Sequence, residues 1–202
     1  MVLDRRKMML SAMMAESPSQ YWDIDWTYKK GLFANSGFDV IINKIASETL
    51  LENAVQLYSE SDAYIRISVP EYPTCRKGVA EAEFTVTEIG SNFSANGLRL
   101  LLSNGTYGCQ TLLKKSGSNI VLTYNNGKTN NDIIIISNIN IGEAYKLKIE
   151  FDETSGNRIS LNERLLLESD KISMYYCTGN RFFAQGACTI NMHAVRYKFL
   201  EV

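Results

Sequence analysis

Between residues 64 and 199 the chain repeats one pattern. Short runs alternate apolar and polar residues, and clusters of Gly, Asn, Ser and Thr cut them apart. In "AYKLKIEFD" (144–152), Tyr145, Leu147, Ile149 and Phe151 fall on every second position. Side chains of a strand point alternately to its two sides, so a period of two gives one apolar and one polar face. "YIRISV" (64–69) follows the same rule, and so does "VAEAEFTVTEI" (79–89). In the latter, Ala80, Ala82, Phe84, Val86 and Glu88 form the core-facing row, and Val79, Glu81, Glu83, Thr85 and Thr87 the other. "LRLLLS" (98–103), "CQTLLKK" (109–115), "NIVLTY" (119–124), "DIIIIS" (132–137), "RISLNERLLLE" (158–168), "KISMYYC" (171–177) and "CTINMHAVRYKF" (188–199) continue the series. Many short strands separated by turn residues specify an all-β antiparallel sandwich or barrel.

The connections agree with this reading. "DETSGN" (152–157) is a polar, Gly-containing hairpin turn, and Asn162-Glu163 in "SLNERLL" (160–166) marks a tight turn between apolar runs. "NKIASETLLENAVQLYSE" (43–60) reads either as a helix or as two short strands around Glu52-Asn53. Strand-like flanks favour two strands. At 202 residues the chain divides into an N-terminal arm (1–19) and one domain (20–202).

The arm carries a different signal. Residues 4–15 suit a helix, with Leu3, Met9, Leu10, Met13 and Met14 roughly on one side and Pro18 as the breaker. Arg5, Arg6 and Lys7 precede Met8, but a secretion signal needs a longer apolar core and a small-residue cleavage site. Met8–Ala15 reaches eight residues only by including Ser11, and Asp4 dilutes the basic region. A docking arm is the better reading, with Met side chains that adapt to a partner groove and cations that pair with acids at its rim. Net charge is −1 with no basic stripe, so no nucleic-acid partner is expected. No apolar run approaches the ~18–20 residues that cross a bilayer, so no membrane partner is expected either. Cys75, Cys109, Cys177 and Cys188 contain no C-x-x-C pair, and His193 stands alone, so no metal or cofactor is expected. A Cys177–Cys188 bridge is compatible with the sequence, but spacing does not decide its geometry.

Over residues 20–200 the succession "AEAEFTV … GLRLLLSNG … QTLLKKSGSNIVLTYN … AYKLKIEFDETSGNRISLNERLLLESD … TINMHAVRYKF" resembles the concanavalin A-like jelly-roll domains of the lectin, glucanase and laminin-G type. The front end, "RRKMM" followed by "YWDIDWTYKKGLFANSGFD" (21–39), resembles the start of bacteriophage structural proteins of the tail-fibre, head-fibre or capsid-decoration kind. Together they imply a non-enzymatic virion component, assembled in the bacterial host cytoplasm. The arm would hold it to other virion proteins, and a homo-oligomer, with a trimer among the options, would expose a lectin-like sandwich to host-surface polysaccharide. The alternative is a free carbohydrate-binding module.

Catalytic patterns are incomplete in this chain. Jelly-roll glucanases carry E-x-D-x-x-E on one strand. Here Glu81 and Glu83 share a face, the central Asp is missing, and Glu88 falls on the opposite side. Glu81 and Glu83 are therefore expected to be solvated, and no catalytic residue is assigned. His193 is placed in a row with Asn191, Val195 and Tyr197, as a structural or surface residue. Trp22, Ile24 and Trp26 form an apolar row that suits a core or subunit interface better than a sugar platform. Tyr175, Tyr176, Arg181, Phe182 and Phe183, at or beside a loop, are the better glycan candidates, although a buried loop plug or a subunit contact suits them better than a sugar site.

Overall fold

The alternating runs become strands wherever the computed structural model describes the chain, over residues 22–71, 73–90, 97–103, 108–126, 133–169, 179–200 and 202. One sheet of eight strands contains β1 (Ile24–Thr27), β3 (Ala46–Leu50), β4 (Val55–Ser59), β6 (Lys77–Ile89), β11 (Ala144–Asp152), β12 (Gly156–Leu161), β13 (Arg164–Glu168) and β15 (Cys188–Leu200). A second sheet of seven contains β2 (Asp39–Asn43), β5 (Tyr64–Ser68), β7 (Gly97–Ser103), β8 (Gly108–Ser116), β9 (Asn119–Asn125), β10 (Ile133–Ile136) and β14 (Gly179–Gln185). The spatial orders are β13-β12-β11-β6-β15-β4-β3, with β1 also on β15, and β10-β9-β8-β7-β14-β5-β2. Neighbouring strands are antiparallel in both sheets. Of the chain's several changes of sheet, those from β6 to β7 and from β14 to β15 join central strands of the two sheets, which are therefore close in sequence. The N-terminal arm, with Arg5, Arg6, Lys7, Met8, Met9, Leu10, Met13 and Met14, lies outside the described residues, as do Tyr175, Tyr176 and Cys177.

The two apolar faces meet in a single core. Ala80, Ala82, Phe84 and Val86 of β6 join Leu98, Leu100 and Leu102 of β7, Phe182 of β14 and Ile65 and Ile67 of β5 in one buried cluster. Residues 43–60 form β3 and β4 around the Glu52-Asn53 turn, because β3 pairs along β4 and β4 pairs along β15. Sheet pairing there outweighs the helix propensity of the segment. Trp26 is 1% exposed, and its ring stacks on Phe33 with centroids 3.8 Å apart. Phe33 in turn meets Phe38 and Phe182 edge-on at 5.4 and 5.0 Å. Cys75, Cys109 and Cys188 are buried. Burial raises the Cys109 thiol far above its ordinary range and pushes Cys188 up to about 12, as expected of inert core thiols.

Both expected hairpins form. Between β11 and β12, Asp152 Oδ1 accepts hydrogen bonds from Thr154 N (2.8 Å), Thr154 Oγ1 (2.6 Å) and Ser155 N (3.2 Å). Burial alone would raise this carboxyl, yet those donors hold it down at about 2. Between β12 and β13, Asn162 (φ 48°) and Glu163 (φ 67°) are both left-handed, as a two-residue turn between twisted strands requires. Asn162 also ties the turn to β11: its Oδ1 accepts from Lys146 N at 2.8 Å and its own N donates to Lys146 O at 2.9 Å.

Two expectations change. "NRFFAQG" is not a loop; it is β14, a strand of the seven-stranded sheet between β5 and β7. Its alternation sends Phe182 into the core and Phe183 outward, and two adjacent aromatics had hidden that period. His193 does not share a row with Val195 and Tyr197. The register on β6 shifts between Met192 and Ala194, where β15 hands its other edge from β4 to β1. This bulge inserts one residue and reverses the phase of the rest of the strand. Ile190 and Met192 point inward before it, Val195 and Tyr197 inward after it, and His193 joins Asn191 and Arg196 on the outer side.

Candidate functional site

Each sheet has an outer face, and the two are built on different chemistry. Across the eight-stranded sheet, strand register sets Asp25 (β1), Arg196 (β15), Glu81 (β6), Lys148 (β11) and Ser160 (β12) side by side. Signs alternate along this row, so each charge has an opposite neighbour. Arg196 is the hub. Its Nη1 donates to Glu81 Oε1 at 2.7 Å and Glu83 Oε1 at 2.5 Å, and its Nε donates to Asp25 Oδ1 at 3.0 Å. Lys146 Nζ approaches Glu81 Oε2 at 3.4 Å. Burial lowers the tendency of Arg196 to hold its proton, but hydrogen bonds and charge from Glu83 and Glu81 outweigh it and raise its pKa.

Glu81 is therefore not solvated. Its side chain is 5% exposed, against 36% for Glu83, because Arg196 lies directly opposite and supplies the charge that burial requires. Both carboxylates are engaged by the same guanidinium nitrogen, an arrangement that neutralises the face. His193 is held as rigidly. Its Nδ1 lies 2.9 Å from Asn53 O and its Nε2 2.9 Å from Thr85 Oγ1. A carbonyl can only accept, so Nδ1 donates to Asn53 O, while Thr85 Oγ1 partners Nε2 on the other side of the ring. Two shallow grooves lie over this face. One of about 260 Å³ is lined by Glu81, Lys146, Lys148, Ser160 and Glu163. The other, about 430 Å³, is lined by Glu83, Ala144, Tyr145, Lys146, Asn162 and His193.

The seven-stranded sheet presents an aromatic set between arginines. Phe183 on β14 pairs with Arg66 on β5 at one side and with Arg99 on β7 at the other. The same row continues to Leu112 on β8 and Thr123 on β9. Leu112, Val121 and Thr123 do not belong to the core cluster yet are only 5, 3 and 1% exposed, so little of this face is open at β8 and β9. Arg99, Gln110, Leu112, Thr123 and Asn125 line a small hollow there. Gln185 and Tyr64 pair beside Phe183, and Arg181 is exposed two positions before it on the same side. Phe183 is half-buried, so part of its ring is open to a flat partner, with guanidinium donors on both flanks.

Of the residues singled out from sequence, the structure brings Arg181 and Phe183 together on this face. Trp26 and Phe182, each 1% exposed, are core residues that no ligand reaches, and Trp22 is half-buried just ahead of β1. Arg66 and Arg99 were missed. They are visible in sequence as polar positions inside apolar strands, but strand pairing across more than eighty residues is what sets them beside Phe183. Among the described residues, no group of three or more His, Cys, Asp or Glu side chains is arranged to hold a metal ion.

No protein-family model matches the chain, and no curated protein matches it in sequence. Solved structures do share its fold. A protein described as cellulose induced protein, Cip1, superposes with a TM-score of 0.65 at 11% identity, covering 89% of this chain and 99% of that one. A carbohydrate binding module of class CBM66 from Bacillus subtilis gives 0.51 at 16%, covering 80% and 95%. A sialidase gives 0.64 at 8% identity over 87% of this chain, but the match spans only 18% of the sialidase. The fold is the concanavalin A-like jelly roll.

Proposed function

We propose that the chain is a non-catalytic carbohydrate-binding module that seats a saccharide on the outer face of its seven-stranded sheet. The observation that carries this is Phe183 flanked in register by Arg66 and Arg99. An aromatic ring stacks on the C–H face of a pyranose, and fixed donors beside it select the hydroxyls. The likeness in fold to a carbohydrate binding module supports the reading. The other outer face is a poorer candidate, because Arg196, Lys146 and the carboxylates around Glu81 already satisfy one another.

A glycan array probed with the wild-type domain and with Phe183→Ala tests it. Loss of the stacking ring should weaken the best ligand by tenfold or more, since one aromatic stack on a flat ring is worth about 1–3 kcal/mol. Binding that Phe183→Ala leaves unchanged, or no binding to any glycan, would overturn the proposal.

The setting we propose for this module is the phage virion, as a structural component held by residues Arg5–Met14 and displayed toward host-surface polysaccharide. It rests on the resemblance of the front end to phage structural proteins. Deleting residues 2–16 should leave a folded β domain that no longer enters particles, read by mass spectrometry of purified virions. Normal incorporation of the shortened chain would contradict the docking role.

A further inference from the structure

We infer that the seven-stranded sheet takes an oligosaccharide of at least two linked sugars, one on Phe183 and the next on Tyr64. This deepens the glycan-binding reading above and rests on it. The first observation is register. Asn43 of β2, Tyr64 of β5 and Gln185 of β14 stand side by side on the outer face. Tyr64 therefore has a carboxamide on each flank, in the row next to Phe183. Phe183 and Gln185 are two positions apart on β14, which makes Tyr64 the diagonal neighbour of Phe183. Diagonal neighbours on one face are about 7–8 Å apart, so the two rings can carry adjacent sugars of one chain. Neither ring packs against another aromatic among the described residues, so neither is covered by the other.

The second observation is the state of the polar groups in this row. Asn43, Tyr64 and Gln185 are each half-buried, so neighbours hold them in place while part of each side chain stays open. The Tyr64 hydroxyl and both carboxamides meet no hydrogen-bond partner among the described residues, and none of them is shut off from solvent. A carboxamide offers an acceptor oxygen and two N–H donors, so it can both give to and take from sugar hydroxyls. Tyrosine adds a flat apolar ring with a polar tip. The same row also gives the bound chain a direction. On the other side of Phe183 the next outward pair is Arg181 and Leu101, with no ring to stack on. The second sugar therefore lies toward Tyr64 and the edge strand β2. A single sugar on Phe183 would leave the whole Asn43–Tyr64–Gln185 row in water.

The test adds a length series to the glycan array. Cello-, laminari-, xylo-, manno- and chito-oligosaccharides are printed as one-, two-, three- and four-sugar members and probed with the whole domain. In at least one series the two-sugar member should bind tenfold or more tightly than the single sugar, as a second aromatic stack predicts. Tyr64→Ala should abolish that gain and leave single-sugar binding unchanged, whereas Phe183→Ala should weaken every member. Tyr64→Phe keeps the ring and should keep most of the gain. Gln185→Ala should cut the gain by about threefold, the share of one neutral hydrogen bond, and keeps the test sound if Tyr64→Ala disturbs the fold. Single sugars that bind within threefold of the longer members overturn the two-sugar assignment while the glycan-binding reading stands. The same holds if Tyr64→Ala leaves the gain intact, or weakens one- and two-sugar members alike. Silence of all five series also overturns it, and if the rest of the array is silent too the glycan-binding reading falls with it.

Discussion

Trp26→Ala is expected to lower stability by about 4 kcal/mol, near the upper range for truncating a core aromatic. Trp26 is 1% exposed and stacks on Phe33 at 3.8 Å, and Phe33 is fully buried against Phe182 of the other sheet. Removing the indole therefore opens a cavity where β1 meets the junction of the two sheets. It also frees β1, a four-residue strand bound to β15 by a short antiparallel ladder. For a domain of this size the loss corresponds to a fall of roughly 10 °C in Tm. Trp26→Phe should cost much less. It removes some volume, but it also removes an indole N–H that is buried and meets no acceptor among the described residues. Chemical denaturation of the three proteins checks the order. A loss below about 1 kcal/mol for the Ala variant would show that β1 is not part of the cooperative core.

Arg196→Met should cost nearly as much, about 3 kcal/mol, by a different route. The guanidinium serves three carboxylates, but their exposures differ: 5% for Glu81, 36% for Glu83 and 52% for Asp25. Without Arg196, water can reach Asp25 and Glu83. Among the described residues Glu81 then keeps one ion pair, to Lys146 at 3.4 Å, and becomes an under-compensated buried charge. The cost is thus assigned chiefly to one carboxylate, which a second substitution can examine. Glu81→Leu in the Arg196→Met background should restore more than half of the loss, because an apolar pair of similar volume removes the orphaned charge. If Arg196→Met costs no more than an exposed pair does, about 0.5 kcal/mol, the network is a surface feature and carries no structural weight.

The strands and turns were legible in the sequence because both signals are local. Alternation in "AYKLKIEFD" gives β11 with its observed bounds, and Asn162-Glu163 marks the turn that places both residues in the left-handed region. The ambiguous stretch 43–60 resolves into β3 and β4 once flanking strands are given weight. Features that depend on pairing between distant segments were not legible. Glu81 looks like any exposed glutamate until Arg196, more than a hundred residues away, is set opposite to it. The bulge at His193 has no local signal, because it arises where β4 and β1 share one edge of β15, and it reverses the phase of the last strand. Phe182-Phe183 reads as an aromatic loop because alternation between two like residues is invisible. Only membership of the sheet separates the core ring from the outward one. The candidate site was visible as two of its members, Arg181 and Phe183, and the arginines that flank Phe183 became visible only with the strand order.

Placement of the ligand on the seven-stranded sheet is the claim on which the functional account stands. Its most direct test is amide chemical-shift mapping of the folded domain titrated with the tightest saccharide from the array. The account predicts shifts concentrated in β5 around Arg66, β7 around Arg99 and β14 from Arg181 to Gln185, extending to Gln110 on β8. Shifts confined instead to the outer face of the eight-stranded sheet, around Glu81, Lys146 and Arg196, would contradict it.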